Sequence, residues 1–258
     1  LPDTDIHWVQ QEPQLGTGHA VAQAMPAVPD ENTVLVMYGD VPLISKQTLE
    51  PLCQMAAQGM AALLSAELDD PGGYGRILHH ADGSICGIVE EKDATRKQRA
   101  IQEINTGFLA APAARLRGWL EALDNDNAQG EYYLTDLVEL ATADGRKVKH
   151  TVCSEDEVQG VNSRAQLAQI EAKLQNKYRA KAMAGGATLI APETVFLSHD
   201  TEIGRDVVIE PNIVMLDGVK IGDGAVVRAF SHLEGAEIGP DCVVGPYARL
   251  RPGARLAK

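Results

Sequence analysis

Residues 203–233 read IGRDVVIEPNIVMLDGVKIGDGAVVRAFSHL, and an aliphatic or methionine side chain returns at every sixth position of this stretch. The period matches neither an α-helix, which repeats about every 3.6 residues, nor an alternating strand. It is typical of a parallel β-helix, in which each repeat forms one side of a triangular coil. With one five-residue step after Leu233, the positions in phase are Leu197, Ile203, Ile209, Met215, Ile221, Val227, Leu233, Ile238, Val244, Leu250 and Leu256.

Glycine follows four of these apolar positions, as Gly204, Gly222, Gly239 and Gly245. We expect glycine there because it permits a tight corner with a positive φ. The phase spans about three coils, which is close to the minimum for a stable array. An uncapped last coil exposes a strand edge, so further coils or a partner are expected to follow.

The first 160 residues follow a different pattern, in which short apolar runs alternate with helical stretches and predict an α/β sheet. The run Thr33–Met37 ends in Tyr38-Gly39-Asp40 and is typical of a strand buried on both faces of a parallel sheet. The other predicted elements are a strand-like stretch at 6–10, a helix at 43–57 with Ser45 as N-cap, a strand at 59–67, and a hairpin of 77–78 with 85–89.

Residues 161–184 predict one helix, capped by Asn162 or Ser163 and stopped by Gly185-Gly186. Its apolar stripe is Leu167, Ile170, Leu174 and Tyr178. The predicted organisation is therefore a domain at 1–162, a connecting helix at 163–186, and a β-helix at 187–258.

The composition excludes several classes of function. The formal net charge is -13, and such a surface repels nucleic acid and anionic lipid. None of the four cysteines, Cys53, Cys86, Cys153 and Cys242, has C-x-x-C spacing, which favours free thiols in a reducing compartment. No apolar run approaches the roughly 20 residues that span a bilayer. The sequence predicts a cytoplasmic protein without nucleic-acid or membrane partners.

The stretch 36–43, VMYGDVPL, places Asp40 where a strand ends. Ligands of open α/β sheets bind beyond the carboxyl ends of the strands. A carboxylate there suits Mg²⁺, which takes few protein ligands and prefers phosphate oxygens for the rest. Asp40 could equally cap the following helix, and this motif alone leaves both interpretations open.

The stretch 11–20, QEPQLGTGHA, holds two glycines that let a backbone approach a flat ligand closely. Gln11 and Thr17 can supply donors and acceptors to a base edge. A helix start without a ligand explains the stretch as well, and His19 fits a structural histidine near such a start.

Seven segments occur in order: LGTGHA, YGDVPL, GYGRI, VEEKDA, EINTG, GEYYLTD and GVN, followed by a helix and hexapeptide repeats. Over residues 6–258 this series resembles the bifunctional N-acetylglucosamine-1-phosphate uridylyltransferase / glucosamine-1-phosphate acetyltransferases of bacteria. The resemblance implies an α/β fold with a Rossmann-like, GT-A-like nucleotidyltransferase sheet, N-terminally incomplete. A helix would join this sheet to a left-handed parallel β-helix.

The resemblance also implies roles for single residues. Uracil would be read by Gln11, Gly16 and Thr17, and the nucleotide–sugar junction lined by Tyr38 and Gly39. N-acetylglucosamine would be held by Gly75, Glu90 and Asn105, and Mg²⁺ by Asp40 and Asn162. Arg251 would contact the sugar phosphate of an acetyltransferase site.

The implied reaction joins UTP and N-acetylglucosamine-1-phosphate into UDP-N-acetylglucosamine and pyrophosphate, a step of peptidoglycan and lipopolysaccharide precursor synthesis. Acetyl-CoA would be a partner of the full-length protein only, and the resemblance implies a homotrimer assembled through the β-helix.

In that family, a glycine-rich loop with Arg and Lys would precede Leu1, and the acetyltransferase histidine would follow Lys258. Both ends therefore look cut, and we expect the 258-residue chain alone to be weakly active or inactive. Two alternatives remain. One is a catalytically dead UDP-sugar-binding or assembly fragment, which the joint presence of Asp40, Glu90, Asn105 and Asn162 disfavours. The other is a nucleotidyltransferase that makes ADP-glucose, against which Gln11 and LGTGHA argue.

Overall fold

The computed structural model describes residues 6–257, and the chain forms two compact units, Leu1–Gly160 and Val161–Lys258. The strands of the first unit are β1 (Thr33–Val36), β2 (Ala61–Glu67), β3 (Gly75–His79), β4 (Ile85–Val89), β5 (Glu103–Pro112) and β6 (Val148–Cys153). Its helices are α1 (Thr17–Ala24), α2 (Lys46–Ala57), α3 (Arg96–Arg99), α4 (Ala113–Glu121) and α5 (Leu137–Ala143).

The six strands form one mixed sheet in the order β4-β3-β5-β2-β6, with β1 also paired to β5. Only β2 and β6 pair in parallel. One edge of β5 pairs with β2. Its other edge is shared: Val36 of β1 lies opposite Leu109, and Gly75 of β3 lies opposite Asn105. The end of β1 thus meets the start of β3 along the same strand.

The expectation for Thr33–Met37 is wrong in two respects. The strand β1 runs antiparallel to β5, and its residues are exposed or half-buried rather than buried on both faces. An apolar run predicts a strand but carries no information on the direction of its partner. The buried strand is β2, in the middle of the sheet. The stretch 6–10 forms no strand.

The other elements predicted for this unit are confirmed. The helix α2 begins at Lys46, and Ser45 Oγ accepts a hydrogen bond from Thr48 N at 3.1 Å. Glu157 Oε1 supports the same cap by accepting from Thr48 Oγ1 at 2.7 Å. Ser45 therefore caps α2 and Asp40 does not.

The second unit begins with α6 (Arg164–Ala184), which Ser163 caps. Twelve short strands follow: β7 (Thr188–Leu189), β8 (Val195–Phe196), β9 (Glu202–Ile203), β10 (Val208–Ile209), β11 (Ile213–Met215), β12 (Lys220–Ile221), β13 (Val226–Val227), β14 (His232–Leu233), β15 (Glu237–Ile238), β16 (Val243–Val244), β17 (Arg249–Leu250) and β18 (Arg255–Leu256). They build three four-stranded parallel sheets, the sides of a triangular β-helix. It has four coils, one more than expected. The first coil starts at Thr188, whereas the six-residue repeat was recognised only from Leu197 onward.

The predicted inward positions are confirmed as the core of this unit. Eight of the eleven are buried, and Ile203, Leu250 and Leu256 are half-buried against the same core. The side chains stack because each coil repeats the register of the coil before it.

The predicted apolar stripe of α6 is confirmed at Ile170, which is buried, and at Leu174 and Tyr178, which are half-buried. The helix also covers the first coil with polar side chains that the stripe did not predict. Gln175 is buried and exchanges hydrogen bonds with Leu197, 2.8 Å to its carbonyl oxygen and 2.9 Å from its N–H. Arg179 Nη1 donates to Val195 O at 3.0 Å, whereas Leu167 is 54% exposed. The backbone groups of a first coil have no preceding coil to pair with, so these side chains satisfy them.

The explanation predicted for the glycines holds at one position only. Of the four, Gly245 alone has a positive φ, 90°. From Ile203 to Leu250, a residue with positive φ instead follows each inward side chain by three positions, or by two within the five-residue step after Leu233. These residues are Asp206, Asn212, Gly218, Gly224, Phe230, Gly235, Asp241, Tyr247 and Gly253. Gly222 is required for stacking, because a β-carbon there would lie 2.7 Å from Pro240 N.

Two further findings bear on the composition arguments. All four cysteines are free thiols. Within residues 6–257, every helix is too short or too polar to cross a membrane.

Replacing Gly222 by alanine should destabilise the β-helix by about 1–3 kcal/mol, because the new methyl group pushes the next coil away. Denaturant unfolding followed by circular dichroism measures this. Gly118→Ala is the matched control, since a β-carbon at this α4 position meets nothing within 4 Å, and it should be neutral or slightly stabilising. Equal unfolding curves for the wild type and Gly222→Ala would contradict the stacking explanation.

In the first unit, two histidines share one carboxylate. His79 Nε2 lies 2.7 Å from Glu103 Oε2, and His150 Nε2 lies 3.4 Å from Glu103 Oε1. His79 Nδ1 is also 3.1 Å from Gly83 O. The hydrogen bond to Glu103 raises the pKa of His79 although burial opposes it.

Because the pKa of His79 is raised on folding, its contribution to stability is present below the unfolded pKa of about 6.5 and is lost as pH rises through the folded pKa. The difference in unfolding free energy between the wild type and His79→Gln should therefore be larger at about pH 6 than at about pH 9. The control is His80→Gln, the same exchange at the next position, which leaves the contact between His79 and Glu103 intact. A difference independent of pH would refute the coupling to Glu103.

Candidate functional site

The first component of the candidate site is the contact between Tyr38 and Gly107. Tyr38 follows β1, and Gly107 lies in β5 with a φ of 87°. A β-carbon on Gly107 would overlap the Tyr38 ring, so glycine is required both for space and for backbone conformation. The ring also meets Phe108 edge to face, with centroids 6.4 Å apart. Tyr38 is thereby fixed at the end of β1.

The second component is Glu90, half-buried just after β4. Its Oε1 accepts a hydrogen bond from Thr135 Oγ1 at 2.9 Å. Its Oε2 faces Gly75, where a β-carbon would lie 3.4 Å away. Burial raises the pKa of Glu90, the Thr135 hydrogen bond opposes this, and the charge of Asp93 adds to it.

Asn105 completes this cluster from β5, opposite Gly75. Its Oδ1 accepts from Gly107 N at 3.2 Å, and its amide nitrogen donates to no residue within 6–257. Asn105, Tyr38, Gly107 and Thr135 line one small cavity, whose apolar walls are Leu63, Ile88, Leu109, Leu134 and Val138. The fold thus brings the predicted residues Tyr38, Gly75, Glu90 and Asn105 together.

The LGTGHA loop lies against residues 131–134. Gly18 N donates to Tyr132 O at 2.8 Å, and Thr17 Oγ1 accepts from Leu134 N at 3.0 Å. A β-carbon on Gly16 would lie 2.7 Å from Tyr132 O. These two glycines therefore permit a close approach to the protein's own backbone at residues 131–134.

Gln11 is held inside this loop. Its Nε2 donates to Gly16 O at 2.9 Å and lies 3.1 Å from His19 Nδ1, while Gln23 Nε2 lies 3.2 Å from His19 Nε2. The imidazole lies between two side-chain amides, which agrees with a structural histidine.

The remaining predicted residues lie apart from this cavity or in the other unit. Asp40 is exposed, and no hydrogen bond or ion pair engages its side chain within residues 6–257. Gly39 is exposed too, and a β-carbon there would meet nothing within 4 Å. Asn162 and Arg251 belong to the second unit and are exposed. The backbone N–H of Asn162 donates to Gln166 Oε1 at 2.8 Å.

The electrostatic field of the site is negative. Burial, then Glu90 and Asp40, raises the pKa of Tyr38. Burial, then Glu139 and Asp124, raises the pKa of Asp136 to about 6. A larger cavity is lined by Glu90, Asp93, Asp124, Asp126, Asp136 and Glu139, and no lysine or arginine of the described chain lines it with them. Anionic phosphate would need a cation here.

Sequence reasoning missed Thr135 and Gly107 as site residues. Both stand in quoted segments, GEYYLTD and EINTG. The hydrogen bond from Thr135 to Glu90 spans 45 positions, so only the fold reveals it.

Comparison with known proteins assigns the class. Residues 1–132 match the family described as the MobA-like NTP transferase domain, and residues 200–235 match the bacterial transferase hexapeptide, six repeats. The chain belongs to the MobA-like NTP transferase family, and its second unit is a left-handed hexapeptide β-helix.

More particular similarity is to curated proteins named "Bifunctional protein GlmU". The chain is 48% identical to that of Alkalilimnicola ehrlichii over 274 residues, covering 99% of the chain and 59% of the relative. It is 48% identical to that of Azoarcus sp. over 277 residues, covering 100% and 61%. It is 51% identical to that of Azorhizobium caulinodans over 259 residues, covering 100% and 57%. The predicted family resemblance is confirmed, and the chain spans about three fifths of these relatives' length.

Replacing Gly107 by alanine should destabilise the first unit by more than replacing Gly130, another glycine with positive φ but with free space around it. Backbone strain costs about 1–2 kcal/mol at either position, and overlap with Tyr38 adds about 1–3 kcal/mol at Gly107. Denaturant unfolding gives both values.

The double variant Gly107→Ala/Tyr38→Ala isolates the overlap. A double-mutant cycle should show that the Gly107→Ala penalty is smaller when the Tyr38 ring is absent. Additive effects would contradict direct packing of the ring on Gly107.

Proposed function

We propose that the first unit binds UDP-N-acetylglucosamine and serves uridylyl transfer from UTP to N-acetylglucosamine-1-phosphate. The observation that carries this proposal is the convergence of Tyr38, Gly75, Glu90 and Asn105 where β1 and β3 meet along β5. These residues come from four separate segments, and the similar GlmU proteins support the same assignment.

The chemistry of the cluster suits an N-acetyl sugar. Glu90 offers a carboxylate oxygen that faces Gly75, and Asn105 offers an uncommitted amide N–H₂. A carboxylate accepts from sugar hydroxyls, and an amide donates to the acetamido carbonyl. Gly75 leaves room for a ring because a side chain there would fill the space in front of Glu90.

The LGTGHA loop is the proposed uracil site. The bonds to Gly16 and His19 use the amide nitrogen of Gln11, so its carbonyl oxygen is left for the base N–H. Thr17 accepts from Leu134 N and keeps its own O–H for donation. Tyr38 and Gly39 would then lie at the junction between nucleotide and sugar.

Mg²⁺ is the proposed cofactor, with Asp40 of the first unit as a ligand; the family resemblance adds Asn162 as a second ligand. Both offer oxygen ligands from exposed side chains, which is the ligand chemistry this ion requires. When bound, Mg²⁺ would neutralise phosphate charge in the transferring group. The chain's own residues position the two substrates: the sugar cluster orients the attacking phosphate, and the loop at 11–20 orients the nucleotide.

For the second unit we propose a role in an acetyltransferase site, with Arg251 as a sugar-phosphate contact, acetyl-CoA as a partner of the longer protein, and assembly as a homotrimer. The bifunctional name of the relatives and the four-coil β-helix support this proposal. A cytoplasmic location in cell-wall precursor synthesis follows from the same proposal.

Isothermal titration of the 258-residue chain with UDP-N-acetylglucosamine, in the presence of Mg²⁺, tests the first proposal. Asn105→Ala should weaken binding about tenfold, since it removes one hydrogen bond to a polar ligand group. Asn32→Ala is the matched control, an exposed asparagine in the loop before β1, and should bind as the wild type does.

The alternatives give different results. Tighter binding of ADP-glucose than of the UDP-sugar would support the ADP-glucose alternative, and no binding of either would overturn the proposed site. Pyrophosphate release from UTP and N-acetylglucosamine-1-phosphate, measured in parallel, separates an enzyme from a fragment that binds the UDP-sugar without turnover.

A further inference from the structure

We propose that Thr135 is a positioning residue, which holds the Glu90 carboxylate so that one oxygen faces the sugar subsite across Gly75. This inference rests on the proposed function, because it assigns Glu90 to sugar binding. Thr135 itself would act through Glu90 and not through a contact with the reacting atoms.

The geometry of the carboxylate carries the proposal. Thr135 Oγ1 donates to Glu90 Oε1 at 2.9 Å, and the other oxygen, Oε2, lies toward Gly75. A glutamate side chain has three rotatable bonds and loses much rotamer freedom when it is fixed. A hydrogen bond to one oxygen therefore fixes the direction in which the second oxygen points.

Thr135 is itself held by the backbone around it. It lies in the 3₁₀ turn Leu134–Asp136, and the neighbouring Leu134 N donates to Thr17 Oγ1 at 3.0 Å. The same turn thus contacts the loop proposed for uracil and the carboxylate proposed for the sugar. A displacement of this turn would disturb both.

The surroundings of Glu90 explain why a neutral donor is needed. Burial and Asp93 raise its pKa, and the Thr135 hydrogen bond counteracts this. The titratable groups that line the larger cavity with Glu90 are Asp93, Asp124, Asp126, Tyr133, Asp136 and Glu139, and Tyr38 lines the small cavity. No described cation there compensates the carboxylate. Without the hydroxyl donor, Glu90 should take up a proton at a higher pH and lose its role as an acceptor.

The test compares Thr135→Val, which keeps the shape and removes the hydroxyl, with Thr135→Ser, which keeps the hydroxyl. The matched control is Thr142→Val, because Thr142 Oγ1 makes an intrahelical hydrogen bond to Val138 O at 2.8 Å away from Glu90. Two quantities are measured: the pKa of the Glu90 carboxyl by NMR without ligand, and UDP-N-acetylglucosamine affinity by calorimetry at about pH 6.5 and about pH 8.5.

For Thr135→Val we expect a higher Glu90 pKa and about tenfold weaker binding at the lower pH. Part of the loss should be recovered at the higher pH, where Glu90 is ionised in both proteins. Thr135→Ser and Thr142→Val should resemble the wild type in both measurements. A purely structural role for Thr135 would weaken binding equally at both pH values and leave the Glu90 pKa unchanged.

Failure of the inference and failure of the proposed function are distinguishable. If the wild type binds the UDP-sugar and Thr135→Val binds equally well, positioning by Thr135 is overturned and the proposed function stands. If the wild type binds no UDP-sugar, the proposed function fails, and the NMR titration decides alone. An unchanged Glu90 pKa in Thr135→Val then overturns the positioning role, and a raised pKa supports it.

Discussion

The pairing of β5 is the constraint on which the candidate site depends. One edge of this strand pairs with β2, and the other is divided between β1 and β3. That division places Tyr38, at the end of β1, beside Gly75 and Asn105. Leaving any of these buried backbone groups unpaired would cost about 1–3 kcal/mol, so strand pairing fixes the backbone positions of these site residues.

The first coil of the β-helix depends on hydrogen bonds from the side chains of α6. Gln175 and Arg179 present side-chain amide and guanidinium groups to the backbone of residues 195–197. A helix with an apolar stripe alone would bury the side chains of that coil but leave its carbonyl groups unsatisfied. The polar side chains of α6 therefore give the first coil the hydrogen-bond partners that every later coil receives from the coil before it.

The sequence predicted those parts of the structure that depend on local pattern. The six-residue period located the β-helix core, since the inward positions coincide with the repeat. Ser45 was readable as a cap, and the cap of α6 was narrowed to Asn162 or Ser163. The direction of β1 was not readable, because an apolar run is the same beside a parallel or an antiparallel partner. The Thr135–Glu90 hydrogen bond and the polar contacts of α6 were not readable either. Whether a threonine or a glutamine faces solvent or a partner depends on residues far away in the sequence.

The parallel stacking of the coils makes the surface of the second unit a set of vertical columns. One column reads Glu202, Lys220, Glu237 and Arg255, with alternating charge. Lys220 lies 2.8 Å from Glu202, and Arg255 lies 3.3 Å from Glu237. The nearest charges to a side chain in this column therefore belong to the coils directly before and after it. Reversing one charge would change the ion pairs of that column and leave the other two faces of the β-helix unaffected.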